Sequence, residues 1–205
     1  MVKKTIIFLL MFQLFAATQC EGDDDCGYSD FTGYDLFVEN TQLSYSINDT
    51  IWINSSASSK VIDYCTQNND SVINYNRFDF KESFYPLKLK NGSTTNAEIS
   101  LNDFQYIIAT GFDYNPSFCH NSYYVTPVLS NNETQYKFRI GIIPKAIGDY
   151  AISSGSIYPF DTTLDLNTQV FSSYNNFDDL IKFENCGDMY TRYNLRRNNY
   201  FFIVE

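Results

Sequence analysis

Histidine is nearly missing. The chain of 205 residues has one, His120, which excludes an HExxH zinc site and any multi-histidine metal centre. No Cys-x-x-Cys pair occurs either, so the composition disfavours a zinc site, and no metal is expected. Gly-rich phosphate loops and the Gly-x-Ser-x-Gly nucleophile turn are absent as well, which removes most familiar mechanisms and the need for a cofactor. His120 does follow Cys119, but neighbours in an extended chain point to opposite faces, so the pair does not read as a thiol nucleophile with its base. Basic residues are also scarce, 14 against 24 acids, for a formal charge of −10. Nucleic acid is therefore an unexpected partner, because phosphate binding needs a positive face that releases counterions. The one basic cluster, Arg192, Arg196 and Arg197, reads as a solvated hairpin or strand edge.

What is abundant is aromatic and β-branched. Phe and Tyr number 18 and 17, and apolar residues make up 44% of the chain, enough area to offset chain entropy in one domain. Short apolar runs are separated by Asn, Asp, Gly, Ser and Pro, the punctuation of an all-β fold. Strands are expected over 34–39, 42–47, 50–54, 60–64, 76–80, 85–89, 98–101, 104–110, 123–129 and 198–205. Trp52, the lone tryptophan, is a core candidate. Pro86 and Pro127 cannot donate to a ladder, so their strands should be edges or begin there.

The clearest pattern is Tyr136, Phe138, Ile140 and Ile142 alternating with Lys137, Arg139, Gly141 and Ile143, which places one face inward, with Pro144 ending the strand. A further strand starts at Gly148. There the sequence Asp149-Tyr150 resembles the tyrosine corner of immunoglobulin-like sandwiches, although a tyrosine merely filling a strand position reads equally well. Residues 176–183, with Asp178 and Asp179 near their start, suggest a short helix close to the C-terminus. The fold class is thus an all-β, immunoglobulin-like β-sandwich over residues 31–205.

Residues 1–19 read as an export signal: Lys3 and Lys4, the apolar run Ile6–Phe15, then Ala16, Ala17 and Thr18. That run is about half the roughly twenty residues a bilayer crossing requires, so it is expected to be removed rather than to span. Its loss would deepen the charge from −10 to −12. Cys20 follows directly, then the acidic stretch Glu21–Asp25, a placement that resembles a bacterial lipoprotein signal in which the cysteine is acylated. Residues 20–30 would then be lipid attachment plus spacer, and several acyl chains would hold the chain stably on a membrane. Simple secretion without lipid is the alternative.

Together with this start, the stretches FVENTQLSYSINDTIWINSS, YKFRIGIIPKAIGDYAIS and YFFIVE are similar to small uncharacterised lipoproteins of Bacteroidota. The resemblance implies a lipid-anchored β-sandwich of the outer membrane or cell surface and implies no activity.

The remaining cysteines, Cys26, Cys65, Cys119 and Cys186, are disulfide candidates in an exported chain, with three possible connectivities. Proximity along the chain alone favours Cys26 with Cys65 and Cys119 with Cys186. Asp161, Asp165 and Asn167 lack calcium-loop spacing and read as a solvated turn. Asn48, Asn54, Asn69, Asn91 and Asn132 each open an Asn-x-Ser/Thr triplet, about the number chance supplies in so polar a chain. No catalytic residue stands out. The expected role is a noncatalytic binding or structural module, with a membrane as partner through the lipid and protein or glycan ligands at its tyrosine-rich surface. A carboxylate-dependent hydrolase is the alternative; it would need two acids in a cleft about 5 to 10 Å apart.

Overall fold

The computed structural model describes residues 29–31, 33–63, 71–74, 81–114, 121–132, 134–155, 160–161, 170–174, 177, 180–193 and 199–205. The chain divides into two compact units, one of Met1–Asp30 with Val61–Ile73 and one of Phe31–Lys60 with Asn74–Glu205. In chain order the strands are β1 (Ser29–Phe31), β2 (Asp35–Val38), β3 (Ser44–Tyr45), β4 (Ile51–Ser58), β5 (Lys60–Asp63) and β6 (Ser71–Asn74). They continue with β7 (Glu82–Leu89), β8 (Ala97–Ile99), β9 (Phe104–Thr110), β10 (Phe112–Tyr114), β11 (Tyr123–Thr126) and β12 (Val128–Leu129). The last are β13 (Gln135–Pro144), β14 (Gly148–Ser154), β15 (Phe160–Asp161), β16 (Leu180–Asn185), β17 (Asp188–Tyr193) and β18 (Asn199–Val204).

The smaller unit centres on a three-stranded sheet, β1-β5-β6. The larger unit is an all-β sandwich. Its seven-stranded sheet runs β10-β11-β7-β14-β18-β3 with β8 also on β7, and its six-stranded sheet runs β12-β13-β4-β2-β15 with β9 also on β13. A core between them takes Ile51, Ile53, Phe138, Ile140 and Ile142 from the six-stranded sheet and Phe84, Val125, Tyr150, Phe202 and Val204 from the other. Rings interlock across the gap: Phe84 meets Phe138 edge-on at 5.8 Å, and Phe104 meets Tyr150 edge-on at 4.9 Å. Alternation explains the inward set, because β4 buries every second residue from Ile51.

β14 and β18 break the alternation. Both bury nearly every residue, since the outer face of their sheet carries a second core of Leu87, Leu89, Ala151 and Phe201 under Phe171, Ile181 and Phe183. The near-continuous apolar run Tyr200–Val204 of β18 suits a strand covered on both sides, whereas β14 buries Ser153 and Ser154 along with Tyr150, Ala151 and Ile152. The cover includes β16, which with β17 forms a separate antiparallel hairpin. Asn96 pins it: its Nδ2 donates to the Leu180 carbonyl (2.8 Å), and its Oδ1 accepts the Lys182 N–H (2.7 Å). Its backbone N–H donates to the Lys182 carbonyl as well (3.1 Å). One fully buried side chain thus does the work of a neighbouring strand.

Three expectations are corrected. The helix expected over 176–183 is not formed at its end, where Leu180–Asn185 is strand; helical residues fall instead at Val170 and Phe171. The two-residue connection Cys186-Gly187 has both φ angles positive (55° and 90°), which joins β16 to β17 tightly, and the aspartates before it gave no hint of a hairpin. Second, Pro86 does not mark an edge: β7 has partners on both sides. β14 runs along one side, while the other is shared by β11, opposite residues 82–84, and β8, opposite residues 87–89. Pro86 falls in the gap, and its carbonyl accepts the Ser100 N–H (2.9 Å) on that side, so its missing N–H breaks no ladder bond. Pro127, by contrast, stands between β11 and β12, where the chain leaves one sheet for the other.

Third, Trp52 is not in the core. Ile51 and Ile53 are fully buried, so the strand's two-residue period turns the indole outward, where it is half-buried. The strand expected over 76–80 lies outside the described residues.

Candidate functional site

The outer face of the six-stranded sheet is built from the residues that alternate away from the core. Pairing sets them in rows: Asp35, Ser56, Lys137 and Val128 in one, Phe37, Asn54 and Arg139 in the next, Trp52, Gly141 and Ile107 in the third. Arg139 sits at its centre. Its Nε and Nη2 donate to Glu39 Oε1 and Oε2, both at 2.9 Å, a bidentate fork. Asn54 Nδ2 donates to Glu39 Oε1 at 2.8 Å, and the guanidinium carbon lies 3.6 Å from the centre of the Trp52 ring.

Two local features make this possible. Gly141 faces the indole: a Cβ there would stand 2.8 Å from Thr50 Cγ2 and 3.0 Å from Trp52 Cζ3. Only glycine leaves the indole room to lie across β13. Beside it, the register between β13 and β9 shifts between Arg139 and Ile140, since Arg139 faces Thr110 while Ile140 faces Ile108. Ala109 is the extra residue of a bulge, a device that re-aims neighbouring side chains and bends the strand.

The electrostatics are those of a closed pair in a wet setting. The Arg139 hydrogen bonds hold the Glu39 carboxyl below its ordinary range, opposed by partial burial and helped by Asn54. The fork uses two of the five guanidinium donors. Flanking it, Phe37 is 37% and Ile107 40% exposed, both large apolar side chains left in water.

A second feature is a groove of about 450 Å³ beside the β16–β17 turn, lined by Lys90, Thr95, Glu98, Ile99, Asn121, Glu184 and Cys186 among others. It contains two carboxylates. Glu98 is tied to Lys90 at 3.1 Å, and both acids are exposed, whereas a general acid needs a setting that desolvates it. A third is Glu82, fully buried on β7, whose oxygens accept the Tyr34 phenol (2.6 Å) and the Ser154 hydroxyl (3.0 Å). Among the described residues no three of His, Cys, Asp and Glu are grouped to hold a metal.

At the opposite end of β14, the Tyr150 hydroxyl lies 2.9 Å from Asp103 Oδ2 and 3.2 Å from the carbonyl of Ala146, four residues upstream. Burial first, and then Asp103, raise its pKa. Of the sequence-selected residues, Cys186 lies in the hairpin turn with Asn121 Nδ2 3.4 Å from its Sγ, and Arg192 packs over the Tyr85 ring at 5.3 Å. Cys20, Cys26, Cys65, Cys119, His120, Asn69, Asp165, Asn167, Arg196 and Arg197 lie outside the described residues. Asn54, one of the Asn-x-Ser/Thr residues, is committed to Glu39.

Glu39, Phe37 and Ile107 were not singled out from sequence, and Asn54 only as the start of an Asn-x-Ser triplet. Parity along β2, β4 and β9 carries a signal for their shared face, but only the pairing register brings residues 100 positions apart into one fork. The chain matches no protein-family model, no curated protein and no solved structure.

Proposed function

We propose that this chain is an exported surface module, tethered by a lipid on Cys20, that acts by noncatalytic recognition through the open face of its six-stranded sheet. The observation that carries the reading is the Trp52–Arg139–Glu39–Asn54 array. A bidentate ion pair, a cation over an indole and exposed apolar flanks form a rigid, partly apolar and polar surface of the kind that binding sites use. Nothing in the core requires it, since that sheet already buries its other face.

The tether is supported by the leader, Cys20 and the acidic spacer. A disulfide at Cys186 belongs to the same reading, since thiols oxidise outside a reducing cytoplasm. Cys119 is the partner that proximity in the chain favours. An immunoglobulin-like sandwich is the subclass favoured by the Tyr150 phenol reaching back to Ala146 at the entry to β14.

The test is the intact mass of the mature chain extracted from membranes. The reading expects loss of residues 1–19 and added acyl mass on Cys20. A soluble chain with an unmodified N-terminus overturns the tether.

A further inference from the structure

We infer that the open face binds a neutral oligosaccharide, lying across the strands from Phe37 to Ile107. This rests on the recognition reading above and gives it a ligand class.

Charge selects the class. The chain carries −10, yet β2, β4 and β13 give this face two acids, Asp35 and Glu39, against two bases, Lys137 and Arg139, with Arg139 and Glu39 already paired and Asp161 of β15 in register beside Phe37. Its centre is close to neutral on an acidic protein. Polyanions are repelled by the rest of the molecule, and a second copy would bring −10 against −10. An uncharged ligand meets neither penalty.

Shape and chemistry select within that class. A sugar ring has apolar C–H faces and a rim of hydroxyls that both donate and accept. The apolar side chains here are spread over four strands: Phe37 on β2, Trp52 on β4, Ile143 on β13 and Ile107 on β9. Three strand spacings separate β2 from β9 by roughly 14 Å, and Phe37 and Ile107 stand one row apart along the strands, a span that suits a short oligosaccharide. A protein partner would instead want a contiguous apolar centre inside about 800 Å² per side. Between the apolar points, the fork leaves Arg139 Nη1 as a donor and Asn54 Oδ1 as an acceptor, one of each kind, as a hydroxyl pair requires. Both are held in place by Glu39, so little side-chain entropy is lost on binding.

The experiment is affinity electrophoresis of the full mature chain through gels containing a neutral mannan, xyloglucan or mixed-linkage glucan, with alginate as the anionic comparison. At least one neutral polymer should retard it. Trp52→Ala and Ile107→Ser should each weaken that retardation about tenfold or more, while Phe112→Ser, on β10 in the other sheet, leaves it unchanged. Ile107 is exposed, so its variant keeps the fold if Trp52→Ala does not. Retardation by none of the three, retardation that survives both substitutions, or equal retardation by alginate overturns the inference. If the neutral polymers fail but a displayed peptide library yields binders lost on Trp52→Ala, the sugar assignment falls while the recognition face stands; the lipid mass reads out the tether independently.

Discussion

The two sheets of the larger unit treat their outer faces in opposite ways. The seven-stranded sheet closes the outer face of β7, β14 and β18 with apolar contacts to the β16–β17 hairpin and to Val170 and Phe171, so Phe201 and Phe183 are as dry as the residues between the sheets. The six-stranded sheet leaves Phe37, Trp52 and Ile107 outside and fills the space among them with an ion pair and an amide. A sheet that needs both faces for stability has no surface left for recognition; one stabilised by a single face is free to place rings and charges on the other.

The largest effect should come from the closed side. Phe183→Ala, which empties a fully buried site, should lower the unfolding free energy by about 3 to 5 kcal/mol in urea denaturation. Ile107→Ser on the open side should move it by no more than about 0.5 kcal/mol. Similar losses at the two positions would erase the distinction.

Next comes Asn96→Ala. It leaves the Lys182 N–H and Leu180 carbonyl without their side-chain partners, a loss of about 1 to 3 kcal/mol. Amide exchange should quicken in β16 and not in β4 or β13. Uniform acceleration would mean that the hairpin is no separate unit.

Gly141→Ala sharpens the comparison from the open side. The added methyl meets Thr50 and Trp52 and should cost about 1 to 3 kcal/mol, with a change in indole fluorescence as the ring is displaced from Arg139. An unchanged spectrum would show that the indole is not seated against β13.

The last contrast is in pH. Burial raises the phenols of Tyr106, Tyr150 and Tyr200, and takes Tyr123 to about 12. Their stabilising contribution is complete below the ordinary tyrosine value of 10 and is lost as pH rises through the folded-state values. Glu39 works in the other direction. Its depressed pKa contributes above the ordinary value of 4.5 and is lost as pH falls through the lower folded value. Titration of stability should therefore decline steeply on the alkaline side and slightly on the acid side, and Glu39→Gln should remove only the acid-side part. A stability curve flat above pH 10 would contradict the burial of these phenols.

The interior was the legible part. Tyr136 to Ile142 alternate so regularly that β13 follows from the period alone, and β18 was read as a strand with Tyr200, Phe202 and Val204 on one face, although its other face is buried too. The hairpin was hidden because its turn uses Cys186 rather than Asn or Asp at the first position, and because Asp178 and Asp179 imitate a helix start. Trp52 was assigned inward by its apolarity, although its neighbours Ile51 and Ile53 carried the contrary signal. Apolarity says how much a side chain gains from burial; parity says whether it can have it. The Glu39–Arg139 fork was out of reach, since it depends on three strands pairing in register.

The notch at Pro86 has a consequence for how β7 is held. β7 is flanked by two partial strands that meet opposite a residue with no hydrogen to offer, and Ser100 closes that junction by donating both its N–H (2.9 Å) and its hydroxyl (3.1 Å) to the Pro86 carbonyl. A proline is thereby accommodated inside the largest sheet, because the one backbone group it keeps is met twice from its own chain.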